Sequence, residues 1–211
     1  MAVQIRRKAS HGAAPPPHMT YEEFLEWADE DTLAEWVDGK VEFMSPASTR
    51  HQQISRFLLR ILAQWAEDHN AGEVLEAPFQ MRLAELKRGR EPDILFVATH
   101  HLSRLKPTYL DGPADLAVEI ISPESVLRDR GTKYGEYEAG GVREYWVIDH
   151  QQQRADFFVL GDDGRYERQR PDADGIYSSQ VLPGFWINTG WLWREPAPTL
   201  RAVLKEWEPK Q

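Results

Sequence analysis

No cysteine occurs in the 211 residues, which removes disulfides, thiolate nucleophiles and zinc–thiolate centres together. That usage fits a reducing cytoplasm, the expected location. There is no apolar run near the length of a membrane span and no signal peptide is expected, so a membrane is not among the expected partners. Internal repeats, a Walker A loop, a Gly-rich dinucleotide fingerprint and a Gly-x-Ser-x-Gly elbow are all missing, which disfavours nucleotide-fold enzymes and serine hydrolases. Positive charge is short as well: 25 Lys and Arg stand against 34 Asp and Glu, a formal net charge of −9. Indiscriminate binding to a polyanion comes largely from neutralising phosphates and is therefore opposed. A basic contact surface would have to be local, with Arg82, Lys87, Arg88, Arg90, Arg128, Arg130 and Lys133 as its candidates.

What is there suits one domain with a substantial core. Residues 1–19, with Arg6-Arg7-Lys8 and Pro15-Pro16-Pro17, read as a disordered lead-in. Thr20 and Glu23 have the spacing of a capping box, so a short helix should start at Tyr21 with Phe24 and Leu25 inward. Asp38-Gly39, between 33–37 and 40–44, is a hairpin signal. From Ser48 to Asn70 the residues Ile54, Phe57, Leu58, Ile61, Leu62 and Trp65 form a helical stripe. Residues 73–83 read as a strand and 86–90 as a charged turn leading into a second, hairpin-paired strand. His100 and His101 are adjacent, so their rings should point apart in a loop, and joint metal ligation is not expected. Later strands are expected over 143–149, 155–160 and 166–170, then an edge segment over 181–193 whose aromatic residues pack on the sheet. Leu200, Val203, Leu204 and Trp207 make a small helix within the C-terminal segment 194–211.

The chemistry concentrates between Arg90 and Asp149. Ile94-Leu95-Phe96-Val97 and Leu116-Ala117-Val118-Glu119-Ile120-Ile121 are short apolar runs bounded by Pro or Gly, the pattern of strands covered on both faces. Each carries one carboxylate, Asp93 at a strand start and Glu119 in mid-strand. A buried ionised carboxylate must find a cation or take up a proton. If the strands are neighbours the two converge, and a divalent ion with hard oxygen ligands, Mg²⁺ or Mn²⁺, would neutralise them. The next segment, 125–138, reads as a helix stopped by Gly140-Gly141, with Arg130, Lys133, Tyr134 and Tyr137 on one face and Lys133 leaning over the carboxylates.

Pro92-Asp93, Glu119-Ile120-Ile121-Ser122-Pro123, Asp129, Lys133, Tyr137, Gly141-Val142, Tyr145-Trp146 and Asp149 together resemble the signature of the bacterial putative restriction endonuclease family. That family was long catalogued as a domain of unknown function and is placed in the PD-(D/E)XK nuclease superfamily. The resemblance extends to Glu35, Asp38-Gly39, Met44-Ser45-Pro46, His51 and Leu182-Pro183-Gly184-Phe185, so residues 20–193 would be the nuclease-like domain. It implies an α+β fold with a restriction-endonuclease-like core, a mixed bent sheet flanked by helices. The superfamily pattern would place a Lys at position 121, where this chain has Ile121; in this family the Lys lies on the next helix, at Lys133. The resemblance implies a metal-dependent nuclease with Asp93, Glu119 and Lys133 as catalytic residues. Asp93, Glu119 and the Ile120 carbonyl would hold Mg²⁺, and Glu35, His51, Arg90 and Tyr137 would be accessory. Nucleic acid, DNA by preference, is the implied partner, and a homodimer would supply a site for each strand. The alternative is a binding module that kept the fold without the chemistry, with Asp93, Glu119 and Lys133 as a structural ion-pair network.

Overall fold

Asp38 and Gly39 take φ of 48° and 84°, the positive values that a two-residue primed turn requires. They join antiparallel strands β1 (Ala34–Val37) and β2 (Lys40–Phe43), with Val37 opposite Lys40. This computed structural model describes residues 14–28, 32–121 and 128–208. The expected lead-in lies outside the described residues as far as residue 13. At its end Met19 is buried, and its amide donates to the Gly39 carbonyl. Helix α1 (Tyr21–Trp27) has the full capping box: the Glu23 amide donates to Thr20 Oγ1 and the Thr20 amide to the Glu23 carboxylate. Its Tyr21 and Phe24 pack with Ala34 and Trp36.

The remaining elements follow in chain order: α2 (Thr49–Asp68), β3 (Gly72–Glu76), β4 (Gln80–Leu83), β5 (Arg88–Arg90), β6 (Ile94–Ala98), β7 (Tyr109–Asp111), β8 (Leu116–Ile120), α3 (Lys133–Gly140), β9 (Glu144–Asp149), β10 (Arg154–Leu160), β11 (Tyr166–Gln169), β12 (Ile176–Ser178), β13 (Trp186–Asn188) and α4 (Leu200–Trp207). One sheet runs β2-β1-β5-β4-β7 and a larger one β11-β10-β9-β8-β6-β3; β12 and β13 form a separate pair. Both larger sheets are mixed, with β4–β7 and β8–β9 parallel and the other pairs antiparallel. The bent sheet expected from the sequence is thus built as two sheets, joined where the chain leaves β5 and enters β6 through Glu91-Pro92-Asp93.

Strand alternation sorts the core into two layers. Ile94, Phe96, Leu116, Val118, Ile120 and Trp146 face the α2 stripe. Leu95, Val97, Ala117, Ile121, Tyr145 and Val147 face Tyr137 of α3. Leu58, Ile61 and Leu62 are fully buried, each worth about 1.5–3 kcal/mol of transfer free energy. Phe185 and Trp191 are buried on the α2 side, with Trp186 and Trp193 packed against them, so these aromatic residues are core.

Two strand expectations are corrected. Residues 73–83 are not one strand: Pro78 has no N–H to give a ladder, and the segment divides into β3, paired with β6, and β4, paired with β5 and β7. Residues 88–90 are accordingly a strand rather than a charged turn. A π-helical turn, Arg128–Thr132, precedes α3 and shifts the side-chain register. Lys133 and Tyr137 face the sheet junction, whereas Arg130 reaches Asp149 and Asp156, and Tyr134 packs on Phe158 and Tyr166. The start of the expected helix, 125–127, lies outside the described residues.

Candidate functional site

β6 and β8 run antiparallel with Ile94 opposite Val118. One step further along that register sets Asp93 across from Glu119, on the same face. The Ile120 amide donates to Asp93 Oδ2 at 2.7 Å, fixing the carboxylate against the end of β8. From the first turn of α2, His51 brings Nε2 to 3.1 Å from Asp93 Oδ1. Burial lowers the His51 pKa, but the Asp93 carboxylate and the Ile120 backbone outweigh it, and the net direction is upward. Its other ring nitrogen, Nδ1, is buried with no hydrogen-bond partner.

Lys133 is completely buried, and its Nζ lies 2.8 Å from Glu119 Oε1 and 2.9 Å from Glu35 Oε1. Tyr137 donates to the same Glu119 oxygen at 2.7 Å. Arg90, also buried, donates to Glu35 Oε2 at 2.7 Å and to both oxygens of Glu136. Every residue expected at the site is therefore at one place: Asp93, Glu119, Ile120, Lys133, Glu35, His51, Arg90 and Tyr137. Burial raises the Glu35 pKa, but Lys133 and Arg90 more than reverse this and hold it down at about 2. Burial raises Glu119 too; Lys133 opposes it, while Asp129, Asp93 and Glu35 add to it, leaving Glu119 at about 8. Burial alone would discharge Lys133, yet Glu119, Glu35 and Asp129 keep it protonated well above the ordinary lysine range.

Three polar residues at this junction escaped the sequence reading as site residues. Asp129 is buried, 3.8 Å from Lys133 Nζ, with Oδ1 unpartnered by any hydrogen bond; its i, i+4 spacing from Lys133 was the available signal. Glu91 is buried next to Asp93 and raised to about 7, chiefly by burial; Gln80 Nε2 donates to it at 2.7 Å. Glu136 joins Arg90 to Arg88. The expected basic rim is largely spent inside the protein. Arg82 pairs with Glu22 and Asp111, Arg88 with Asp38 and Glu136, and Arg130 with Asp149 and Asp156. Lys87 remains exposed.

The expectation that the rings of His100 and His101 point apart is also corrected. They lie in a 3₁₀ turn, Thr99–Arg104, with ring centroids 4.1 Å apart, and His101 Nδ1 is 2.9 Å from Asp115 Oδ1. Adjacent side chains leave such a turn about 120° apart, and it is the pull of His101 toward Asp115 that brings its ring back beside His100.

A divalent ion fits the Asp93–Glu119 pair by its chemistry. Both are hard oxygen donors, and Mg²⁺ is commonly held by one or two carboxylates with water completing the octahedron. Glu119 is kept from ionising until about pH 8 by burial and by its acidic neighbours, and Asp129 Oδ1 accepts no hydrogen bond; added positive charge would relieve both. Among the described residues no third His, Asp or Glu joins Asp93 and Glu119 with ligand atoms all within 4.8 Å. The backbone of Ile120 lies beside the pair, its amide on Asp93.

Comparison with known proteins gives the same frame. Uncharacterized protein slr1290 of Synechocystis sp. is 24% identical over 154 residues, covering 72% of this chain and 80% of the relative. A crystal structure described as a putative nuclease belonging to DUF820, from Anabaena variabilis, matches with a TM-score of 0.68 at 16% identity, covering 83% of this chain and 97% of that one. That likeness establishes an α+β, nuclease-like fold with mixed sheets flanked by helices. Residues 21–190 match the family described as "Uma2: Putative restriction endonuclease", and the chain belongs to that family.

Proposed function

We propose that this protein is a metal-dependent endonuclease that hydrolyses phosphodiester bonds, with DNA as the favoured substrate and 20–193 as the nuclease domain. The observation that carries the reading is the opposition of Asp93 and Glu119 on neighbouring strands, with Lys133 of the following helix 2.8 Å from Glu119. Asp93, Glu119 and the Ile120 carbonyl would hold Mg²⁺, or Mn²⁺ in its place. When bound, such an ion polarises the scissile phosphate and lowers the pKa of water.

The chain's own residues divide the remaining work. Lys133 is held protonated by Glu119, Glu35 and Asp129, so it serves as a fixed positive charge for the developing phosphate charge rather than as a base. Glu35 and Tyr137 fix Lys133 and Glu119 in place. Arg90 fixes Glu35. His51, bonded to Asp93, orients that carboxylate and is the donor nearest to it from α2. A homodimer would present two such sites to a duplex.

The complete burial of Lys133 between Glu35 and Glu119 favours a second reading, a structural ion-pair network in a binding module. Calorimetric titration of Mg²⁺ and Mn²⁺ into wild type and Glu119→Gln, beside a cleavage screen on DNA and RNA, separates the two. The nuclease reading expects metal binding and cleavage in wild type, both lost in Glu119→Gln, with the variant still folded. The network reading expects Glu119→Gln to be destabilised with or without metal, and no cleavage from either protein.

A further inference from the structure

We propose that His100, His101 and Asp115 form a separate site for a divalent transition-metal ion of the zinc type, at the opposite end of β6 and β8 from Asp93 and Glu119. Among the described residues this is the group of three His, Asp or Glu side chains whose ligand atoms all lie within 4.8 Å of one another. β6 separates the two places: Asp93 precedes Ile94, and the 3₁₀ turn begins after Ala98, about 17 Å of strand. The second site therefore shares no ligand with the first, and the proposal does not rest on the nuclease reading.

The donor set selects the ion. Two imidazoles and one carboxylate suit zinc, cobalt or nickel, whereas Mg²⁺ prefers oxygen alone. Neighbouring ligands about 2.0–2.2 Å from a tetrahedral ion lie about 3.3–3.6 Å from each other. The His101 Nδ1 to Asp115 separations of 2.9 and 3.0 Å would have to open by about half an ångström to reach that spacing. Binding at Nδ1 would take the place of the hydrogen bond that joins those two groups, with the single imidazole proton carried on Nε2. His100 is exposed while Asp115 is buried, so the ion would enter from the solvent side with water completing its shell.

The frame is set without the two histidines. The Thr99 amide and hydroxyl donate to the carbonyls of Ala71 and Asn70, and Arg104 donates to the Pro113 carbonyl. Asp115 is oriented by the Ala98 amide, which donates to Oδ2 at 2.8 Å, and its own amide donates to Phe96. Ligating carboxylates are held by such outer bonds. An ion here would clamp the end of β6 to the start of β8, the two strands that carry Asp93 and Glu119 at their other ends.

The test uses untagged full-length protein titrated with Zn²⁺ by calorimetry and with Co²⁺ by visible absorption. Wild type is compared with His100→Ala, His101→Ala and an Asp93→Asn, Glu119→Gln double variant. His100 is exposed, so His100→Ala leaves the His101–Asp115 pair and the fold in place. We expect one Zn²⁺ bound by wild type and by the double variant, with affinity about 10–100-fold weaker or worse in each histidine variant. Zn²⁺ should raise the melting temperature of wild type but not of His100→Ala. Equal Zn²⁺ affinity in wild type and His100→Ala, or binding that vanishes in the double variant, would overturn the proposal.

Discussion

Lys133 is sealed from bulk solvent, so its carboxylate neighbours Glu119, Glu35 and Asp129 carry the whole task. Lys133→Met would leave Glu35 with Arg90 and the Glu91 amide, and Glu119 with a tyrosine hydroxyl. Removing one partner of a buried ion pair costs about 3–5 kcal/mol. We expect that loss at pH 8 in urea denaturation, and a smaller one at pH 5, where Glu119 carries a proton and needs no cation. An equal loss at both pH values would show that the charge of Glu119 is not what Lys133 neutralises. Glu119 was legible as special because a carboxylate inside an apolar strand run has no bland place to go. Glu144 was not. It follows Arg143 at a strand start with nothing local to mark it, yet it is buried and accepts from Trp146, Tyr177, Ser179 and the amides of Gln180 and Val181. Most of those donors arrive more than thirty residues later in the chain, and no local pattern announces them.

α3 supplies Lys133, Glu136 and Tyr137 to the junction, so its ends decide how firmly three site residues are held. At its C-terminus Gly141 adopts φ 83°, and its amide donates to the Glu138 carbonyl. Only glycine takes that left-handed conformation without a steric cost. Gly141→Ala should lower stability by about 1 kcal/mol, seen as a reduced urea midpoint with an unchanged slope. A midpoint equal to wild type would mean that the cap bears no load. The Gly140-Gly141 stop was readable because helix ends have their own residue chemistry. The α2 stripe and the Asp38-Gly39 hairpin were readable for similar reasons, periodicity and turn preference being local. β5 was hidden: Arg88-Gly89-Arg90 has no apolar alternation, and it is a strand because β1 and β4 flank it. The π turn before α3 was hidden too, and with it the separation of Arg130 and Tyr134 from the face that Lys133 and Tyr137 share.

For the whole molecule, the buried acids at the sheet junction set how stability depends on pH. Glu35 is held down at about 2, so the folded state keeps it ionised where the unfolded chain would protonate it. Its contribution is present above its usual value of 4.5 and is lost as pH falls toward 2. Glu119 and Glu91 run the other way, raised to about 8 and about 7. Between their usual 4.5 and those values the folded protein holds protons that the unfolded chain has released, so stability falls as pH rises through this range. In chelator-containing buffer the melting temperature should therefore peak near pH 5 and decline toward pH 8. Glu119→Gln mimics the protonated side chain and should flatten most of that decline. Saturating Mg²⁺ should restore wild type more at pH 8 than at pH 5, because the ion takes the place of the proton on Glu119 and binding to the folded state alone is stabilising. A Mg²⁺ effect of equal size in Glu119→Gln would place the ion elsewhere, whereas a metal-free profile already level from pH 5 to 8 would mean that Lys133 alone neutralises Glu119 and leaves the ion nothing to relieve.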